Sequence, residues 1–501
     1  MSQSMKSLVK KVLVALAVCV STTVSAQIQQ AWVAKYSNNG ITNGNHQALK
    51  MALDSAGNIY VLGVSANAST NTGYVVLKYA PNGNQVWAAR YDSINYPTAS
   101  PTGFALDSSN NVVVTGNAVT VKFNANGNLL WTAPYNASAI AADPGQNVCI
   151  TGVSSNFLTM KFSPAGSNIW SMTWTYQGLP NEGQIITVDD SSNVYVAGLE
   201  TENIPRTPYQ NVGLLKYDLN GNQLWANSFD QGDFGGPTVV GLLVDGSGNV
   251  YAEFNFAAGL GGVTAYQTSK INPNGTVAWN DSNPTGNVAS MSQAMALDKN
   301  DNVFITGKSV WNAQTGASSY GTYKLDTNGN YLWSNLYPSD GSTASIGLAL
   351  VTVATGGVIV TGISTNGMTG AKIVTIRYDS DGNQVWLQQY GSPGPGNAGG
   401  NAIAVDNASN VYVAGYETET NGSTEMVLIK YSPVTLQKQP NGSVILHAYG
   451  APGESFDLQA STNLQTWEDL GDVIADTNGV AQFDDTNAPL FNCRFYYTVP
   501  K

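Results

Sequence analysis

Histidine and cysteine are nearly absent from this 501-residue chain, which has two histidines, His46 and His447, and three cysteines, Cys19, Cys149 and Cys493. Two imidazoles leave almost no material for a histidine metal centre or a Ser-His-Asp relay. Three thiols cannot make a disulfide framework, so stability has to come from packing. Charge is scarce as well, at 11% of residues, and the balance is acidic with a formal net charge of −12. An acidic surface without basic patches repels nucleic acid and anionic lipid, which excludes nucleic-acid binding.

Long apolar runs are missing beyond the N-terminus. There Lys6, Lys10 and Lys11 precede the run Val12 to Val20, and Val24-Ser25-Ala26 has the small-residue pattern of a signal-peptidase site. That run is shorter than the roughly 20 residues a membrane span takes. Residues 1–26 read as a secretory signal, without the small residue before Cys19 that lipoprotein cleavage requires. Removing the three lysines leaves a mature charge of −15. Its Cys149 and Cys493 fall in different expected domains, and no disulfide is assigned between them. The expected location is secreted, periplasmic or cell-surface in a bacterium, with no membrane span.

Glycine, by contrast, is abundant at 52 residues, and it falls in a repeat. One half-unit runs Lys-Tyr, Asn-Gly, Trp, as in Lys78 to Trp87. It returns at Lys122 to Trp131, Lys161 to Trp170, Lys216 to Trp225, Lys270 to Trp279, Lys324 to Trp333 and Arg377 to Trp386. The other half runs from an Asp through a β-branched or aromatic stretch to a Gly, as in Asp54 to Gly63, Asp189 to Gly198, Asp298 to Gly307 and Asp406 to Gly415. Such stretches between turn formers are short strands, four per unit, and tandem four-stranded units are the sequence form of propeller blades. The last unit lacks its Trp, and Ala31 to Tyr36 supplies a matching strand. The expected architecture is all-β: an eight-bladed β-propeller over residues 27–436, closed by the N-terminal strand, then a small C-terminal β domain over residues 440–501.

These motifs, Asp-x-x-x-Asn-Val-Tyr-Val-x-Gly and Lys-Tyr-x-x-x-Gly-Asn-x-x-Trp, resemble the bacterial SBBP-type β-propeller repeat family over about residues 30–432. The resemblance implies the fold and is nearly silent on activity. Val353 departs from the turn Asp and Phe254 from the Gly. Ser455 to Leu464, Thr466-Trp467 and Arg494 to Tyr497 resemble a β module found at the C-termini of exported bacterial proteins, with Gln437 to Gly442 as its linker.

The recurrent residues read as architecture. Asn82-Gly83 suits a two-residue type I′ turn placing Lys78 opposite Trp87, so that the Lys stem covers the indole. Turns such as Asp218 to Asn222 and Asp379 to Asn383 lack the spacing of a calcium loop. No catalytic residue, metal ligand or cofactor is assigned.

Function is sought on the opposite face, where the Gly-to-Lys spacing varies from 6 and 9 residues in units two and three to 18, 16 and 17 in units four to six. Tyr209, Tyr266, Trp311 and Tyr320 are expected on those longer loops as aromatic contacts for a polysaccharide. Glu253 stands where other units have Leu, Thr or Ala, and Asp230 and Asp233 lie in the loop entering unit five. The expected function is a non-enzymatic, monomeric, exported binding or scaffold protein for a polysaccharide or a surface protein. The alternative is a carbohydrate-active hydrolase or lyase using those carboxylates.

Overall fold

The computed structural model describes residues 16–18, 28–38 and 44–500, except for 70, 94, 153–156, 178, 180, 203–208, 230–235, 259–262, 283–288, 313–316, 338–343, 355, 367–369, 392–395, 434, 450–452, 464, 478 and 479. Within these residues the chain is all-β apart from one short 3₁₀ turn, Ala488–Leu490. Among the described residues no helix is long and apolar enough to cross a membrane. Two compact units divide the chain: Lys35–Ala404 with Val413–Leu428, and Met1–Ala34 with Val405–Tyr412 and Ile429–Lys501.

Seven antiparallel four-stranded sheets follow one another between His46 and Tyr390, each a meander of consecutive strands. An eighth has the order Ile28–Tyr36, Thr424–Pro433, Val411–Thr418, Ala398–Val405. The sheets are numbered here in chain order. Their second strands are the most deeply buried, with every residue buried in Ile59–Ala66 and Val112–Gly116. Burying each large apolar side chain stabilises the fold by roughly 1.5–3 kcal/mol.

The first and third turns of a meander have one geometry, and it differs from the type I′ expected at Asn82-Gly83. In sheet one Ala80 N–H bonds Asn84 O (2.9 Å), Gly83 N–H bonds Ala80 O (2.9 Å), and Gly83 has φ +89°. This is a three-residue loop, a type I turn closed by a left-handed residue. The Asp that opens the other turn acts as expected. Asp54 Oδ1 accepts the N–H groups of Ala56 and Asn58, and Oδ2 accepts the Asn58 side-chain amide.

Lys78 pairs with Trp87 across the hairpin, as expected. Its ammonium lies over the Tyr60 ring, 4.8 Å from the centroid, and Trp87 meets that same ring edge-on at 6.0 Å. The indole reaches the next sheet. Trp87 Nε1 donates to Ala125 O, Trp131 to Pro164 O, Trp170 to Leu219 O, Trp225 to Pro273 O, Trp279 to Thr327 O and Trp333 to Ser380 O, at 3.0–3.1 Å. Each of these carbonyls belongs to the Gly-containing turn of the following sheet, so the repeated Trp latches neighbouring sheets. First strands add to this: Thr102 Oγ1 donates to Ala137 O (2.6 Å), Val239 N–H to Gln184 Oε1 (3.0 Å) and Asn401 Nδ2 to Ala48 O (2.8 Å).

The C-terminal module has its own core, including Leu446, Phe456, Leu458 and Tyr496. Thr435–Lys438 pairs with Val444–Tyr449 through a turn closed by Gly442 N–H to Gln439 O. The segment expected as a linker is therefore a hairpin. Leu16–Val18, inside the segment read as a signal, pairs with Arg494–Tyr496. Cys149 is buried and free, which rules out a bond to Cys493.

Candidate functional site

Two residues past the Gly of the eighth sheet's second strand stands Glu417, its side chain only 4% exposed. A buried carboxylate needs compensation, and Lys35 on Ile28–Tyr36 provides it. Lys35 Nζ lies 3.1 Å from Glu417, 3.3 Å from Glu419 and 3.3 Å from Glu425. Burial works against this ammonium, but the carboxylates, chiefly Glu417, more than offset it and raise its pKa. Tyr390, at the end of sheet seven, donates its hydroxyl to Glu417 Oε2 at 3.1 Å. Burial, followed by the Glu417 charge, pushes the Tyr390 pKa up to about 12.

The same strands continue into a turn where Glu419 N–H bonds Ser423 O and Gly422 N–H bonds Glu419 O. Thr424 fixes this turn to the segment entering sheet one. Its N–H donates to Gly44 O, and its hydroxyl donates to Asn45 Oδ1 (2.8 Å) and accepts from His46 N–H (2.9 Å). His46 is fully buried, with Nδ1 2.9 Å from Ser65 Oγ. Above this framework Gly44, Asn45, Gln47, Asn421, Gly422, Ser423 and Thr424 bound an open depression of about 590 Å³. Its lining is almost wholly amide, hydroxyl and backbone. Such a surface hydrogen-bonds a polyol and offers no aromatic ring to stack on it.

Glu253 lies elsewhere, buried between the first and third strands of sheet five. It pairs with Gly241 on one side and Thr268 on the other, and Thr268 Oγ1 donates to Glu253 Oε2 at 2.5 Å. Desolvation pushes its pKa up to about 8, against the hydrogen bonds it receives. In other sheets this slot holds a hydroxyl pair, Thr115 with Thr120 or Thr361 with Thr375. Glu253 sits in a packed core and is not among the residues that bound the depression.

The four aromatics expected on loops are not there. The extra residues of units four to six lengthen strands, so Tyr209, Tyr266, Trp311 and Tyr320 all lie within strands. Tyr266 and Tyr320 are 1% and 0% exposed, with Tyr266 packed on Tyr323 and Tyr320 on Tyr337. They are core residues and present no stacking surface. The side chains of Tyr209 and Trp311, together with Asp230 and Asp233, lie outside the described residues. Of the expected aromatics, Tyr266 lies near enough to Glu253 for that charge to add to the burial that raises the tyrosine's pKa. Sequence reasoning missed Lys35, Glu417 and the depression. The available signal was positional, because Glu417 sits two residues after Gly415, where sheet one has Ser65 after Gly63. No group of three or more His, Cys, Asp or Glu among the described residues could hold a metal ion.

The β-propeller repeat model SBBP matches residues 385–422, across the end of sheet seven and much of sheet eight. No curated protein matches the chain. Among solved structures, a Bacteroides caccae protein of unknown function is 13% identical, with 55% of this chain and 91% of that one covered and a TM-score of 0.32. A Xanthomonas campestris gluconolactonase is 11% identical, covers 66% of this chain and 90% of its own, and has a TM-score of 0.30. A chimera described as ACO/RPE65 is 8% identical over 74% of this chain and 94% of that one, at a TM-score of 0.41. At these scores the likenesses carry no functional argument.

Proposed function

We propose that this chain is an exported, non-enzymatic binding protein whose eight sheets form an eight-bladed propeller closed by Ile28–Tyr36, and that it holds a polysaccharide at the Asn45–Thr424 depression. Closure is supported by bonds that join the two ends of the repeat array, Asn401 to Ala48 and Thr424 to Gly44 and His46. Export is supported by the signal pattern of residues 1–26. The observation that carries the ligand reading is the lining itself, amides and hydroxyls held on a rigid framework of turn and strand hydrogen bonds.

A glycan array probed with the purified chain tests it. Binding to at least one neutral polysaccharide is expected. Gln47→Ala should weaken it by roughly fivefold, the loss of about one hydrogen bond of 1 kcal/mol, without changing Tm, whereas Asn45→Ala should weaken it and also lower Tm by removing the Thr424 bond. Silence across plant, algal and bacterial polysaccharides would sink the reading.

A further inference from the structure

Sheet four repeats the acidic constellation of sheet eight without its cation. Glu200 follows Gly198 by two residues, as Glu417 follows Gly415, and Glu202 then corresponds to Glu419. Asn211 precedes Lys216 by five residues, as Glu425 precedes Lys430. Ser228 follows Trp225 by three, as Lys35 follows Trp32. Even the neighbouring donor is reproduced: Trp174 Nε1 donates to Glu200 Oε1 at 2.9 Å, where Tyr390 serves Glu417. The ladder sets Asn181, Glu200 and Asn211 in one row across three strands.

What differs is the compensation. In sheet eight the row is neutralised by Lys35. In sheet four Glu200 is 1% exposed, and among the described residues no ion pair reaches it. Burial raises its pKa, opposed by hydrogen bonds from Ser228 and Trp174. Three atoms of the row, Glu200 Oε2, Asn211 Oδ1 and Asn181 Nδ2, have no hydrogen-bond partner although Asn181 and Asn211 are each 3% exposed. Unmet buried polar groups cost about 1–3 kcal/mol each, so a row of them marks a place that something else completes. Asn211 Nδ2 is committed to Glu202 Oε2 (3.1 Å), which leaves its carbonyl as the acceptor. Two acceptors beside an acidic Glu202 match an ammonium, which is a donor only. The remaining donor, Asn181 Nδ2, matches an oxygen next to the amine. Ser228, the counterpart of Lys35 by position, is exposed and too short to carry a cation to the row.

We propose that sheet four is a binding site for a primary ammonium group with a neighbouring hydroxyl, held by Glu200, Glu202 and Asn211 where Lys35 sits in sheet eight. An amino sugar carries this chemistry, and so does a simple amino alcohol. The site does not depend on the saccharide reading of the depression. Calorimetric titration of the full chain with D-glucosamine, N-acetyl-D-glucosamine and ethanolamine tests it. Glucosamine and ethanolamine should bind, and N-acetylglucosamine, which lacks the charge, at least about tenfold more weakly. Preference for glucosamine over ethanolamine assigns the carrier as an amino sugar, and equal binding assigns the amino alcohol alone. Ser228→Lys rebuilds the sheet-eight arrangement; it should raise Tm and abolish binding of both amines, and Glu200→Gln should abolish binding as well. No binding of either amine, equal binding of the acetylated sugar, or a Ser228→Lys chain that still binds glucosamine would overturn the proposal.

Discussion

Sheets two and three hold their repeated lysine with a carboxylate, whereas sheets one, four and five hold it over an aromatic ring. Lys122 lies 2.9 Å from Asp107 and Lys161 2.8 Å from Asp143, all four side chains at most 3% exposed. Lys78, Lys216 and Lys270 sit 4.8–5.0 Å from the centroids of Tyr60, Tyr195 and Tyr251. One residue decides between the two. Where the second strand offers Tyr, its hydroxyl bonds the turn Asp, as Tyr195 does to Asp189 at 2.9 Å, and the ring takes the ammonium. Where it offers Val113 or Cys149, the Asp has no phenol and the Lys comes down to it. In these five sheets the turn Asp is met by a phenol or by an ammonium, and the two solutions differ in energy. A buried ion pair depends on both members, while a cation over a ring contributes only about 0.5–2 kcal/mol.

The sharpest break in that comparison is Lys122→Met against Lys78→Met. The first leaves the Asp107 carboxylate buried and unpaired and should cost about 3–5 kcal/mol. The second removes a contact over Tyr60 and should cost about 1 kcal/mol. Urea denaturation of the two variants measures the gap; equal losses would mean that the slot tolerates either solution alike. Burial works against the Asp107 charge, but the hydrogen bonds of Asn111 and Lys122 hold its pKa below the ordinary carboxylate value. A depressed carboxylate stabilises the fold above its unfolded pKa, and that part is lost as pH falls through the folded value.

A smaller contrast separates the first and third turns of each meander. Both need a left-handed residue, yet the first accepts Asn110, Gln146 or Ser192. The third is Gly in sheet after sheet because the preceding Trp rests on it. At Gly275 (φ +91°) a Cβ would come within 2.8 Å of Trp225 Cγ, while at Gly57 (φ +78°) it would meet only Pro81 Cγ at 3.5 Å. Gly275→Ala therefore combines backbone strain with displacement of the latch and should cost about 2–3 kcal/mol, against about 1 kcal/mol for Gly57→Ala. Thermal unfolding of the pair checks this, and similar Tm losses would show that the Trp latch is dispensable.

The strands, both turns and the Lys–Trp register were legible in the sequence because turn chemistry and strand propensity act within about ten residues. The latch was not, because Trp225 and Pro273 O are 48 residues apart and nothing local marks the carbonyl as its acceptor. The Lys35 cluster was less legible still, with Lys35 and Glu419 separated by 384 positions. Tyr266 and Tyr320 were misplaced for a different reason. Extra length between Gly and Lys was assigned to loops, whereas an antiparallel pair can absorb it by extending both strands, as Val250–Ala258 and Val263–Ile271 do. Glu253 was legible as an anomaly, since its neighbours in the repeat are small or apolar, but its burial and its partner Thr268 come from the fold.

Glu253 also supplies the finest test of how one repeat slot takes different chemistry, because Thr pairs fill it in sheets two, three, six and seven. Its folded pKa, pushed up to about 8 by burial, lies above the ordinary carboxylate value, so the fold favours the protonated acid. The stability from this group is complete below the unfolded pKa, is lost as pH rises toward the folded value, and changes no further beyond it. The unfolding free energy should fall by up to about 1.4 kcal/mol per pH unit through the neutral range, the linkage of one proton. Glu253→Thr, which installs the hydroxyl pair of the other sheets, should flatten that slope and make the protein more stable above pH 8 than the parent chain. Denaturation at mildly acidic, neutral and mildly alkaline pH decides it: a slope that survives in Glu253→Thr would place the titrating group elsewhere.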